Sequence, residues 1–379
     1  MKIIIIGTAY PYRGGLAAFN ERLANEYISQ GHDVDIYTFN LQYPSFLFPG
    51  KTQYSEESAP IGLRIKRAVN SINPFNWFKV GKEIRKKQPD LVLIKFWLPF
   101  MSPCFGTIVR QIRKNNKTRI ISVLDNIIPH EKRMGDRMLT QYFVNSADGF
   151  VAMSQSVLND INVFDNKKPK ALSPHPLYDN FGEKVSRKDA LEKLNLDSSQ
   201  QYMLFFGFIR DYKGLDLLLK AYADERFRSL NVKLIVAGEF YNNSEKYFTL
   251  EKELGLEGEI IWFNHFIPDS EVRYYFNAAN IIVQPYKSAT QSGVTQIAYH
   301  FEKPMLVTNV GGLSEIVPNG KVGYSVNPDT KEIAGALIDF YQNERLDDFT
   351  DNIIQEKEKY TWSKMTETIN KLVLTEISR

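Results

Sequence analysis

Lys287–Gly312 reads KSATQSGVTQIAYHFEKPMLVTNVGG, and the reading of this stretch decides the fold. Small hydroxyl and amide residues, Ser288, Thr290, Gln291 and Ser292, precede Gly293, and an amphipathic run follows from Val294 to Phe301. A polar, glycine-bearing loop that feeds such a run predicts a helix start. Pro304 ends the helix, Met305–Val307 forms a short apolar strand, and Gly311-Gly312 turns the chain. The first N–H groups of a helix lack backbone partners and carry the positive end of its dipole, so the junction near Gly293 and Val294 suits a phosphate. The same residues also serve an ordinary junction capped by Ser292.

Strands and helices alternate on both sides of this stretch. Upstream, a strand Tyr202–Phe206 runs into the loop GFIRDYKG (Gly207–Gly214), and a helix follows from Leu215 to about Asp224. Strand Lys233–Ala237 ends at Gly238-Glu239, strand Ile260–Asn264 precedes a helix Asp269–Ala279, and strand Ile281–Gln284 delivers the opening stretch. Downstream, Lys331–Glu344 and on through Trp362 is helical. The N-terminal half repeats the alternation. Strand Ile3–Ile6 leads through Gly14-Gly15 into a helix Leu16–Ser29 and a strand Val34–Phe39. Helix Trp77–Lys87, strand Leu91–Phe96, helix Phe105–Lys114, strand Arg119–Leu124, helix Gly135–Asn145 and strand Gly149–Met153 follow. Leu41–Gly62 has no periodicity and is read as a loop near an acceptor site; Pro169–Phe181, rich in proline, is read as the interdomain linker.

This order defines an α/β protein with two doubly wound, Rossmann-like domains facing across a cleft. At 379 residues the chain exceeds the size of one core. The domains are set at 1–175 and 176–359, which leaves 360–379 as a C-terminal segment. The first glycine turn lacks a third glycine and an acid at the end of the next strand, which argues against a dehydrogenase. Gly14-Gly15 marks either a backbone approached by a ligand or a tight turn. A net charge of +3 argues against nucleic-acid binding. The lone Cys104 excludes an internal disulfide, and no apolar run is long enough for a membrane span or signal peptide. The expected location is the cytoplasm, or the inner face of the cytoplasmic membrane. Arg64, Lys66, Arg67, Lys79, Lys82, Arg85, Lys86 and Lys87 share a window with Glu83 as its only acid. That window is either a solvated face or an attractor of anionic lipid or a phosphorylated acceptor.

Pro11 with Gly14-Gly15, FFGFIRDYKGLDLLLKAY (205–222), Gly238-Glu239, WFNHFIPDSEVRYYFNAANIIVQPY (262–286) and KPMLVTNVGGLSEIVPNGKVGY (303–324) together resemble the B-fold glycosyltransferases, specifically the retaining family 4. The resemblance covers nearly the whole chain. It implies a second domain that binds a nucleotide diphosphate sugar, UDP- or GDP-linked, and a first domain that binds a glycan or lipid-linked acceptor. It also implies a final helix crossing back to the first domain, and work in cell-surface polysaccharide synthesis.

A departing nucleotide diphosphate needs fixed positive charge. Arg210 and Lys213 are the candidates, though the family's arginine stands directly after the glycine, where this chain has Phe208. Donor contacts are expected from Gly14, Gly15, Gly207, Glu239, Phe266, Gln291, Ser292, Gly293, Val294 and Gln296. No Asp-x-Asp follows a strand, so no metal and no cofactor is expected. The family's pair of glutamates around the helix start is missing, leaving Gln291 and Gln296 as neutral alternatives. Asp125 stands where many relatives have a histidine facing the donor sugar; Asp125 itself or His130 is the catalytic candidate. A sugar nucleotide 2-epimerase and a non-catalytic nucleotide-sugar-binding partner subunit remain as alternatives.

Overall fold

The computed structural model describes residues 1–44, 53–55, 58–129, 133–241, 244–289 and 292–374, and the chain divides into two compact units. One comprises Met1–His175 and the C-terminal segment from Trp362; the other is Pro176–Thr361.

The first unit contains β1 (Lys2–Ile6), α1 (Gly15–Ser29), β2 (Asp33–Leu41), β3 (Ile65–Asn70), α2 (Pro74–Lys87), β4 (Leu91–Phe96) and α3 (Ser102–Ile112). It continues with β5 (Arg119–Leu124), α4 (Asp136–Val144), β6 (Gly149–Ala152), α5 (Gln155–Asn162) and β7 (Lys170–Leu172). Among the described residues the sheet order is β3-β2-β1-β4-β5-β6-β7, parallel throughout. Ile3 and Ile5 of β1 join a cluster with Phe19, Leu23 and Tyr27 of α1, whereas Ile4 and Ile6 join another with Val80, Phe105, Ile108 and Phe143 from α2, α3 and α4. Burial on both faces is why this strand reads IIII without alternation. Cys104 is buried on the α3 side.

The second unit contains α6 (Arg187–Lys193), β8 (Gln201–Phe206), α7 (Leu215–Tyr222), α8 (Glu225–Arg228), β9 (Val232–Ala237), α9 (Glu245–Glu253), β10 (Ile260–Phe263) and α10 (Asp269–Ala278). β11 (Ile281–Gln284), α11 (Gly293–His300), β12 (Met305–Thr308), α12 (Leu313–Ile316), β13 (Gly323–Val326), α13 (Thr330–Gln342) and α14 (Leu346–Glu356) complete it. Its parallel sheet runs β10-β9-β8-β11-β12-β13. Met203 and Phe205 of β8 face one core and Leu204 the other, the same two-sided pattern. α15 (Trp362–Leu374) then packs on α1, β5, β6 and β7 of the first unit. Trp362 sits 5.1 Å from the Phe19 ring, with the Arg22 guanidinium carbon 5.3 Å from its centroid.

Two readings are corrected. Lys170–Leu172, assigned to the linker, pairs with β6 as the last strand of the first sheet. Three residues are too few to show a period. Ile65–Asn70 (IKRAVN), unassigned from sequence, is the opposite edge strand, and its exposed Lys66 and Arg67 hide the strand pattern. The basic window is also partly neutralised. Arg64 pairs with Asp33 and Asp35, Lys66 with Glu83 at 2.6 Å, and Lys87 with Asp35 at 2.7 Å.

Candidate functional site

The strand order of the second sheet reverses between β8 and β11, and open parallel sheets hold ligands beyond the carboxyl ends of the strands at such a reversal. β8 runs into Gly207 and β11 into Pro285-Tyr286, so the loop Gly207–Gly214 and the start of α11 meet there. Glycines make this approach possible. Gly207 has φ +93°, and a Cβ on it would lie 2.8 Å from Lys213 Nζ. Gly238, the first residue after β9, has φ +147°, and a Cβ there would lie 2.2 Å from the Gly207 carbonyl oxygen. A side chain at Gly238 would push the two strand ends apart, and one at Gly207 would displace the Lys213 ammonium and strain a left-handed backbone.

Lys213 ends the 3-10 turn Asp211–Lys213 and is only 8% exposed. Its Nζ donates at 3.4 Å to the Phe206 carbonyl and lies 5.6 Å from the Tyr286 ring centroid. Burial, and secondarily the charge of Arg210, lower its pKa to about 8. Arg210 stacks on Tyr241, its guanidinium carbon 4.0 Å from the ring centroid, and its buried Nε has no partner among the described residues. No described carboxylate pairs with either cation; the acids of the same segment are held elsewhere, Asp211 by Lys246 and Asp216 by Lys287 at 2.8 Å. Two neighbouring cations, one buried, with no counter-charge among the described residues make an arrangement that suits an anion.

Tyr286 connects this pair to the helix start. Its hydroxyl is 3.2 Å from Ser292 Oγ, which accepts from the Val294 N–H at 3.2 Å. α11 has no acidic residue in its first turn. A Cβ on Gly293 would lie 2.8 Å from the Tyr178 ring, so the ring's close approach needs glycine there. Glu239 is half-buried, and its carbonyl accepts from the Ile209 N–H at 2.9 Å; the Phe266 ring is exposed. Gln296 is fully buried, with neither amide atom paired among the described residues. Gln291, like His130, lies outside the described residues.

In the first sheet the reversal falls between β1 and β4. Beyond β1, Gly14 caps α1 with φ +98° and Gly15 is the first helical residue; the helix has no side-chain cap and no acid in its first turn. Glu21 accepts from the Tyr10 N–H at 2.6 Å, and Asn20 donates to the Thr8 carbonyl at 2.8 Å, which fixes the loop on α1.

Asp125 follows β5, and its N–H donates to the Phe96 carbonyl of β4 at 2.9 Å. Its Oδ1 is ion-paired at 2.9 Å with Lys95 Nζ, a partner the sequence reading missed. Lys95 is 3% exposed at the penultimate position of β4. Its ammonium lies 3.2 Å from the Phe19 ring centroid and 3.9 Å from Met153 Sδ. Burial lowers the Lys95 pKa and Asp125 opposes that shift. The available signal was one charge within an otherwise apolar strand, LVLIKF.

Among the described residues no three His, Cys, Asp or Glu side chains form a group that could hold a metal ion, and no helix is long and apolar enough to cross a membrane.

With this geometry established, residues 13–170 match the family described as Glycosyltransferase Family 4 and residues 186–360 the family described as Glycosyl transferases group 1. The chain belongs to the B-fold glycosyltransferases of the family 4 type and is a transferase enzyme. It is 25% identical to an uncharacterized glycosyltransferase of Methanocaldococcus jannaschii over 98% of this chain and 97% of that protein. It is also 25% identical to a D-inositol 3-phosphate glycosyltransferase of Thermobifida fusca, over 83% of this chain and 77% of that one. Among solved structures, Anabaena HepE in complex with UDP shares the fold with a TM-score of 0.74 at 14% identity, covering 98% of this chain and 99% of that one.

Proposed function

We propose that the chain is a retaining, metal-independent hexosyltransferase that moves a hexose from a UDP- or GDP-linked sugar to a glycan or lipid-linked acceptor in cell-surface polysaccharide synthesis. The observation that carries this reading is the Lys213–Arg210 pair at the reversal of the second sheet, two cations without a described carboxylate partner. Both cations meet the diphosphate, with Lys213 as a point charge and Arg210 as a planar donor held by Tyr241. They stabilise the charge that grows on the leaving nucleotide as the glycosidic bond breaks, the task a divalent metal performs in other transferases. Bond cleavage leaves positive charge at the anomeric carbon and the bonding pair on the departing phosphate oxygen; the acceptor hydroxyl then bonds to that carbon from the same face and passes its proton to that oxygen. The UDP bound to Anabaena HepE supports a uridine donor.

A lipid-linked acceptor is supported by α2. It exposes Phe75, Phe78, Lys79, Lys82 and Lys86 along one stripe, and neither these lysines nor Arg85 forms an ion pair among the described residues. Exposed aromatics with adjacent basic residues match an anionic membrane surface, each cation near it contributing about 1 kcal/mol. The chain therefore works in the cytoplasm and at the inner face of the cytoplasmic membrane.

The test incubates the protein with UDP-, GDP-, ADP- and dTDP-hexoses and excess chelator, follows nucleotide release, and assigns the product anomer by proton NMR. One donor should turn over at an undiminished rate with chelator and give the donor's anomeric configuration. Loss of turnover on chelation, or an inverted product, contradicts the reading. For the membrane contact, co-sedimentation with phosphatidylglycerol vesicles should exceed that with phosphatidylcholine vesicles and fall in a Phe75→Ser/Phe78→Ser variant.

A further inference from the structure

We propose that α4 docks on an anionic membrane in the same plane as α2, so that the carboxyl edge of the first sheet rests on the bilayer surface. The inference rests on the lipid-linked acceptor reading and gives it an orientation.

The layer that covers Ile4 and Ile6 is made of α2, α3 and α4, with α3 packed between the other two, so the outward faces of the three helices share one direction. All strands of this parallel sheet end at one edge. α2 begins just after β3 and α4 is the helix after β5, which puts the first turns of both at the carboxyl edge, the edge that also carries Gly14 and Asp125.

Exposed apolar side chains start at that end of both helices. On α2 they are Phe75, 85% exposed, and Phe78; on α4 they are Met134, fully exposed just before the helix, Met138, 72% exposed, and Tyr142. Met134, Met138 and Tyr142 stand four residues apart and form one stripe, whereas Thr140, Phe143 and Val144 are buried. The stripe is fixed to α3. A Cβ on Gly106 would lie 2.7 Å from the Tyr142 ring, the Arg110 guanidinium carbon is 3.7 Å from the centroid of that ring, and the Tyr142 hydroxyl is 2.9 Å from Thr107 Oγ1. Arg110 donates to the Gly106 and Tyr142 carbonyls at 2.9 and 2.7 Å, and among the described residues its charge meets no carboxylate.

Charge decides what covers the stripe. α2 carries five lysines and arginines, α3 with the turn Arg113–Asn115 three, and α4 one, against the acids Glu83 and Asp136. Glu83 is paired with Lys66, and Asp136 accepts from the Arg133 N–H at 2.8 Å. A second copy placed face to face would set these cations against themselves, whereas anionic headgroups match them and the apolar side chains enter the acyl boundary. A lipid-linked acceptor then reaches the carboxyl edge without leaving its bilayer.

The experiment attaches an environment-sensitive thiol dye to Met138→Cys, to Phe78→Cys and, as a control, to Ile28→Cys, an exposed position of α1 in the opposite layer; Cys104 is buried and stays unlabelled. Each is mixed with phosphatidylglycerol and with phosphatidylcholine vesicles. The dyes at positions 138 and 78 should shift to the blue with phosphatidylglycerol only, and the dye at position 28 should not shift. Unlabelled Met134→Ser/Met138→Ser should bind phosphatidylglycerol vesicles roughly tenfold more weakly than wild type, with its circular dichroism and thermal unfolding unchanged because both methionines are exposed.

A shift at position 78 with none at 138 overturns the proposal and leaves the α2 contact standing. Equal shifts at 28 and 138 overturn the orientation. A shift at 138 that needs no vesicles and grows with protein concentration assigns the face to a second copy, and overturns the proposal as well. No shift at either 78 or 138 overturns the membrane contact itself. Donor turnover, measured without vesicles, reports on the transferase reading alone.

Discussion

Lys213→Met removes a charge that the second unit holds inside itself. An unperturbed lysine titrates at 10.5, and burial together with Arg210 brings Lys213 to about 8. That difference corresponds to about 3 kcal/mol against the charged form. The sign follows from proton counts. Between pH 8 and 10.5 the unfolded chain binds more protons at this lysine than the folded one, so its contribution to stability rises with pH across that window and the full penalty applies below pH 8. Methionine carries no charge and fills similar space. The variant should therefore be more stable than wild type at pH 7, by up to about 3 kcal/mol or roughly 6–12 °C in Tm for a unit of this size. The gain should shrink at pH 9.5. Scanning fluorimetry or calorimetry at the two pH values measures it, and a repeat with saturating UDP should show the ligand-induced rise in Tm in wild type but not in the variant. A variant less stable than wild type at pH 7, or a gain that does not fall with pH, refutes the account of Lys213 as an uncompensated buried cation.

Two further substitutions test the packing that builds the sites. Gly214→Ala should destabilise the second unit by about 2 kcal/mol or more and weaken nucleotide binding, because a Cβ at φ +70° would stand 1.9 Å from the Pro285 carbonyl oxygen; thermal unfolding and a UDP titration read both effects. Trp362→Ala, which empties the contact of α15 with Phe19, should lower the stability of the first unit by about 3–5 kcal/mol. Urea unfolding followed by limited proteolysis should show that unit opening first.

The legible parts of the fold were those with a repeated physical constraint. Central strands such as Leu91–Phe96 and Ile281–Gln284 are apolar but for Lys95 and Gln284 because both faces are covered, and their bounds agree with the sequence reading. Edge strands were not legible. Ile65–Asn70 is half exposed and charged, Lys170–Leu172 is very short, and Gly323–Val326 follows a glycine turn that reads as loop.

In the site, the glycines and Lys213 could be located because backbone approach and charge leave marks in a single stretch. The Lys95–Asp125 pair could not, since it depends on the register of β4 against β5 across nearly thirty residues of chain. Tyr286 was missed for a similar reason: its hydroxyl matters only because the chain folds back to bring Ser292 against it. Gln296 shows the opposite limit. The sequence marks it as polar and near the helix start, but α11 is covered on every side from Val294 to Tyr299, and Gln296 is buried with the rest.

The most direct measurement of the central claim is isothermal titration with UDP, GDP, ADP and dTDP at pH 8, run in two buffers of different ionisation enthalpy. A diphosphate placed against Lys213 raises the pKa of the lysine, so a binding nucleotide should take up roughly half a proton at that pH, and Lys213→Met should abolish the uptake. Tight binding of a nucleotide diphosphate with no proton uptake, or with uptake that survives Lys213→Met, would contradict the assignment of the diphosphate to this cation pair.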